Sequence, residues 1–333
     1  MRARGILPMP DDPDMPASGR SSKRHEKYER LVDAARQMPA TTTAVVHPCD
    51  DVSLEGAVEA ARLGLIVPIL VGPAGRIRRT AAAASLEIGT FEIVDAAYSH
   101  DSAAKGVALV LHGRAQAVMK GSLHTDELMA AVVAHEGGIR TERRISHCFI
   151  MDVPGHPGPL IITDAAVNIV PTLDEKVDIV QNAIDLALAM RFPDVRVAIL
   201  SAMETVSAKL PSTIEAAALC KMAERGQITG AVLDGPLALD NAIDPEAAKI
   251  KHIVSPVAGR ANVLVVPDLE AGNMLAKSLS FLAGADAAGI VLGARVPIIL
   301  TSRADSLLTR LASCAIATLL VHARQARMAA ALA

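Results

Sequence analysis

The chain has no tryptophan, two tyrosines and four phenylalanines. So little flat aromatic surface leaves nothing on which bases could stack, and a net charge of −3 offers no basic face to a phosphate backbone, so no nucleic-acid partner is expected. Cysteine is scarce and dispersed. Cys49, Cys148, Cys220 and Cys314 lack the close pairing of a zinc site or a disulfide scaffold and read as reduced, mostly buried thiols, consistent with a cytoplasmic protein. Long hydrophobic runs are missing too. The longest uncharged apolar stretch near the C-terminus, residues 311–321 between Arg310 and Arg324, is too short to cross a bilayer. The first two dozen residues hold no apolar run of signal-peptide length, so no membrane is expected as a partner.

What is present is a chain of 333 residues, 51% hydrophobic, in which apolar segments alternate with short charged ones, as in a protein with two globular lobes. Residues 1–24, rich in Pro, Arg, Ser and Asp, are expected to form a disordered arm. From His25 onward strand-like and helix-period segments alternate, which predicts an α/β architecture with largely parallel sheets. One link breaks that rhythm. The strands over residues 147–153 and 160–163 are separated only by the PGHPGP turn at 154–159, which permits an antiparallel hairpin and no crossover helix, so the sheet must be mixed.

The segment LTSRADS, residues 300–306, follows an apolar strand at 296–300 and leads into a long C-terminal helix. Here Ser302 offers a hydroxyl, Arg303 a two-pronged guanidinium and the helix its free N–H groups, the equipment for gripping an anion such as phosphate. The alternative is that Ser302 only caps the helix, with Asp305 or Ser306 completing the first turn.

Several motifs carry a resemblance in colinear order. SPVAGRANVLVVPDLEAGN at 255–273, LDGP at 233–236 with Asp240, Asn241 and Ala242, TDAAVN at 163–168, and the TSR turn at 301–303 resemble the phosphate acetyl/butyryltransferase family over residues 25 to the C-terminus. Within that family the chain is most similar to the transferase portion of bacterial proteins in which an enoyl-CoA hydratase-like domain comes first. The resemblance implies direct transfer of an acetyl or butyryl group between CoA and inorganic phosphate in a ternary complex. CoA, acyl-CoA, phosphate and acyl phosphate would be the partners, with no metal and no redox cofactor. It implies a homodimer of two-lobed chains similar to the isopropylmalate dehydrogenase fold, with the active site in the interlobe cleft. The first lobe would comprise residues 25–146 plus 296–333, and the second residues 147–295.

On that resemblance Ser302 would hydrogen-bond the acyl phosphate, and Arg303 would stabilise the charge that builds on the tetrahedral carbon. The family's acetyltransferase branch places an aspartate two helical turns after the serine to take the thiol proton; here Thr309 stands there. Asp305 is the nearest acid, weakened as a base if its charge is stabilised in the first turn of a helix. The GSLHT segment, with Gly121, Ser122, His124 and Thr125, suits a phosphate-facing loop at a strand-to-helix junction, or else a plain turn. An arginine expected farther along that helix is replaced by Leu128-Met129-Ala130-Ala131; Arg140, Arg143 and Arg144 are candidates to supply the charge, or form a solvated basic turn. Asp164 and Asn168 follow a strand end where α/β sheets bind ligands, and Gly272 and Asn273 open a helix; each pair is either ligand-facing or turn-forming. His47, Cys49 and Asp50 look like metal ligands, but without a second cluster they read as a buried strand end. Two further classes remain in play, a metal- and nicotinamide-dependent dehydrogenase on the same fold and a non-catalytic acyl-CoA-binding regulator.

Overall fold

A computed structural model describes residues 26–302 and 305–332. The expected arm at 1–24 therefore lies outside the described residues. The chain runs α1 (Glu26–Arg36), β1 (Thr41–Val46), α2 (Asp51–Arg62), β2 (Ile66–Gly72), α3 (Ala74–Ala83), β3 (Glu92–Asp95), α4 (Ser99–Leu111), β4 (Ala117–Lys120) and α5 (Thr125–Val133). It continues through β5 (Ser146–Asp152), β6 (Leu160–Thr163), α6 (Leu173–Ala189), β7 (Arg196–Leu200), α7 (Pro211–Glu224), β8 (Val232–Leu237), α8 (Leu239–Ile243) and α9 (Pro245–Ile250). It closes with β9 (Val263–Val265), α10 (Leu269–Leu282), β10 (Asp286–Leu292), β11 (Ile298–Ile299) and α11 (Leu307–Leu332).

Local chemistry accounts for the element boundaries. β1 reads TTTAVV, five of its six residues β-branched, and it is buried along almost its whole length, as an interior parallel strand requires. α2 starts where the Asp50 carboxylate accepts the Ser53 N–H at 2.8 Å. α6 starts at a reciprocal cap, the Thr172 N–H donating to Glu175 at 2.8 Å and the Glu175 N–H to the Thr172 hydroxyl at 3.4 Å.

All eleven strands form one sheet in the order β3-β2-β1-β4-β11-β10-β5-β6-β9-β7-β8. β10 pairs antiparallel with both β11 and β5, and so joins what the sequence suggested were separate sheets. The expected hairpin is there: β5 and β6 pair antiparallel, Cys148 opposite Thr163. The remaining pairings are parallel, so the sheet is mixed and mostly parallel. One face carries a continuous apolar core contributed by α1, α2, α6, α7 and α11. The other face carries two cores, one under α4 and α5 and one under α8 and α10, which flank the antiparallel centre of the sheet.

The C-terminus decides one alternative left open by the sequence. The helix does not begin at the TSR turn but at Leu307, and its cap is Ser306, whose hydroxyl accepts the Thr309 N–H at 3.2 Å. The uncharged stretch 311–321 lies inside a longer, mostly apolar helix that includes Arg310 and Arg324. Leu307–Ala331 contains an 18-residue window with a mean hydropathy of 1.3, long and apolar enough to cross a membrane, yet 67% of that window is buried inside the protein. Packed on α1, α2 and β10, it is a core helix.

Candidate functional site

β1, β4 and β11 are neighbours and parallel, so the loops that follow them open on one edge of the sheet. Val46 at the end of β1 pairs with Lys120, and Met119 pairs with Ile299. The loops are interlocked. The Gly121 N–H donates to the Val46 carbonyl at 2.8 Å, and a Cβ on Gly121 would lie 2.4 Å from that oxygen, so no other residue fits. Ser122 donates both its N–H and its hydroxyl to the His47 carbonyl, at 2.9 and 2.8 Å. Its oxygen in turn accepts the Cys49 N–H at 3.3 Å, so the hydroxyl proposed for substrate is used to tie two loops together.

Charge collects on this edge. Lys120 is 3% exposed and donates to the Gly121 carbonyl at 3.3 Å. Arg310, also 3% exposed, donates to the Thr301 hydroxyl at 2.8 Å and to the Ser302 carbonyl at 2.7 Å, so a buried guanidinium holds the turn that carries Ser302. Asp305 is half-buried, and its carboxylate accepts the Ser302 N–H at 2.6 Å. Burial pushes the Asp305 carboxyl above its ordinary value, and the Ser302 N–H, Arg310 and Lys120 only partly oppose it. This reverses the sign expected from a helical first turn, because Asp305 precedes the helix and burial outweighs any end effect. A carboxyl raised in this way holds a proton more tightly than an ordinary one. Ser302 itself is exposed, and with the cap assigned to Ser306 its hydroxyl is not the helix N-cap. Arg303 lies outside the described residues.

The loops that follow β1 and β4 open on a cavity of about 340 Å³ lined by His47, Asp50, Arg76, Ser122, His124 and Glu127, among others. His47 is not an inert strand end. It holds a left-handed backbone with φ 56°, its ring is 7% exposed, and Nδ1 is 2.9 Å from the Ser102 hydroxyl. Burial, reinforced by Arg76, lowers its pKa against the opposing pull of Glu127 and Asp50. Arg76, exposed at the start of α3, brings positive charge to the cavity. Of the three arginines suggested for that purpose, Arg140 is exposed, while Arg143 pairs with Asp185 at 2.7 Å and Arg144 with Glu175 at 3.0 Å. His124 and Thr125 are exposed at the start of α5, where the Glu127 carboxylate accepts the His124 N–H at 2.9 Å. Among the described residues no three His, Cys, Asp or Glu side chains are placed to hold a metal.

Asp164, Asn168, Gly272 and Asn273 form a second group, at the C-terminal ends of β6 and β9. These strands run opposite to β5 and so leave the sheet at its other edge. The Asp164 carboxylate accepts the Ala166, Val167 and Asn168 N–H groups at 2.9, 3.1 and 3.2 Å, and the Asn168 side chain at 2.5 Å. Asn273 donates to the Ala165 carbonyl at 3.3 Å, and a Cβ on Gly272 would lie 2.7 Å from the Asp164 carbonyl. Asn168 also ties this turn to the segment before β5, donating to the Ile145 carbonyl at 2.8 Å and accepting from Arg144 at 2.6 Å.

Lys120, Arg310 and Arg76 are given no site role by the sequence, and His47 reads there only as part of a buried strand end. Lys120 closes an apolar strand and Arg310 interrupts an apolar helix face; a charge at each of these buried positions was the available signal.

The family model for phosphate acetyl/butaryl transferase matches residues 96–318. A phosphate acetyltransferase of Rhizobium meliloti is 66% identical over 305 residues, 92% of this chain and 96% of that one. A phosphate butyryltransferase of Clostridium beijerinckii is 37% identical, with 88% of this chain and 97% of that one covered. Among solved structures, a phosphotransacetylase from Streptococcus pyogenes superposes with a TM-score of 0.76 at 25% identity, covering 89% of this chain and 99% of that one.

Proposed function

This chain belongs to the phosphate acetyl/butaryl transferase family and moves a short acyl group between CoA and phosphate, and from that premise we propose where and how it does so. Acetyl is the preferred group, a reading supported by the 66% identity to an acetyltransferase against 37% to a butyryltransferase. The acyl phosphate binds at the ends of β4 and β11. The observation that carries this assignment is the pair of buried cations there, Lys120 and Arg310, around a turn whose exposed residue is Ser302.

Lys120 and Arg76 attract the phosphate, Lys120 as a point charge next to the loop of small residues at 121–122. Arg310 acts on the turn, not on substrate: by holding Thr301 and the Ser302 carbonyl it fixes where the Ser302 hydroxyl points. Ser302 then donates to the acyl phosphate, and Arg303 meets the negative charge that grows on the carbonyl oxygen as sulfur attacks. The sulfur of CoA and the oxygen of phosphate exchange on one carbon within a ternary complex, with no cofactor. The working molecule is a cytoplasmic homodimer. Exposed Met274, Phe281 and Leu282 on α10 support an apolar contact between copies.

Ser302→Asp tests the site. A negative charge set against a phosphate is expected to lower kcat by about 10²-fold or more while the melting temperature holds. Near wild-type transfer by a folded Ser302→Asp variant contradicts the assignment.

A further inference from the structure

The transfer needs a group to take the proton of the CoA thiol, and the family's aspartate position is Thr309, whose hydroxyl lies 3.1 Å from that of Ser306. Asp305 already accepts the Ser302 N–H at 2.6 Å. Across the same edge stands a side chain better arranged for the task. The Ser102 hydroxyl has one proton, which it donates to the Tyr98 carbonyl at 2.8 Å, the back-bond that serines make within a helix. Its oxygen is left to accept from His47 Nδ1 at 2.9 Å. The imidazole is thereby held with its proton on Nδ1 and its lone pair on Nε2. Burial and Arg76 keep the ring neutral at pH 7. His47 lines the cavity, and its carbonyl is bonded to the Ser122 N–H of the loop that follows Lys120.

Resting on the transfer reaction above, we propose that His47 is the proton carrier of the reaction, its Nε2 accepting the thiol proton of CoA and passing it to the departing phosphate. The atoms balance. As the S–C bond forms and the C–O bond to the phosphate breaks, the thiol proton moves to Nε2; the phosphate then takes that proton, leaving as the hydrogen phosphate dianion and restoring the neutral ring. In the other direction the same ring deprotonates hydrogen phosphate and protonates the departing CoA thiolate. The charged and titratable groups around His47 are Arg76 from α3, Asp50 ahead of α2, and His124 and Glu127 from α5, Glu127 lying 3.3 Å from the α4 residue His100. The carboxylates favour the transient imidazolium and Arg76 resists it, which suits a ring that must both gain and lose a proton.

The test is His47→Asn in the full chain. Asparagine tolerates the left-handed backbone and can still reach Ser102, but it ends short of Nε2. In acyl transfer from acetyl phosphate to CoA at pH 7, kcat is expected to fall about 10²-fold with KM for both substrates little changed. The deficit should shrink about tenfold between pH 7 and 8.5, where the thiol ionises unaided. A loss independent of pH, or no loss, overturns the proposal. Ser102→Ala, which keeps the ring and removes only its anchor, gives a second reading: a kcat lower by on the order of tenfold at unchanged KM supports the carrier role, and an unchanged kcat opposes it. Wild-type protein without any transfer activity would refute the parent reading and this assignment together, whereas active wild type with unaffected variants refutes the assignment alone.

Discussion

At single residues the site is governed by buried charge, which a sequence does not display. The order Ser302, Asp305, Ser306 was legible as an anion site or a cap, but whether Asp305 is held down by a helix end or pushed up by burial depends on what packs above it. Because its carboxyl is raised in the folded state, the folded chain holds that proton more tightly than the unfolded one, and ionisation costs stability as pH rises above the ordinary carboxylate value of about 4. Asp305→Asn removes that cost and can still accept the Ser302 N–H. Its melting temperature at pH 7 is expected to equal or exceed that of wild type, with the difference closing as pH falls toward 4. Calorimetry at the two pH values checks this, and a variant less stable at pH 7 than at pH 4 relative to wild type contradicts it.

At the scale of elements, alternation and turn chemistry read well and competing caps did not. The hairpin of β5 and β6 followed from a six-residue link rich in Pro and Gly, since such a link admits only one geometry. Whether Ser302 caps α11 stayed open in the sequence because Ser302-x-x-Asp305 fits a capping pattern, and the N–H that meets the Ser306 hydroxyl assigns the cap to Ser306. Ser306→Ala is therefore expected to cost about 0.5–2 kcal/mol in denaturant unfolding with kcat preserved. Loss of turnover with stability intact would move Ser306 from the cap to the chemistry.

At the scale of the whole molecule, the resemblance in the motifs located the family, yet the site's own wall could not be read along the chain. His47, Lys120 and Asp305 are far apart in sequence and share one edge because β1, β4 and β11 lie side by side; strand order is a property of the folded sheet. The same holds for the exposed apolar face of α10. Met274 and Phe281 lie seven residues apart on one helix face and are 61% and 81% exposed, so Phe281→Glu is expected to convert a sedimenting dimer into a monomer. A wild-type monomer at working concentration contradicts the dimer. The central claim is acyl exchange between CoA and phosphate, and its most direct measurement is CoA release from acetyl-, propionyl- and butyryl-CoA by the purified chain, with and without phosphate and with chelator throughout. Phosphate-dependent release is expected, with acyl phosphate formed in equal amount, fastest for acetyl, with losses of roughly tenfold or more per added methylene where the pocket excludes it. CoA release that does not depend on phosphate, or none at all, contradicts it.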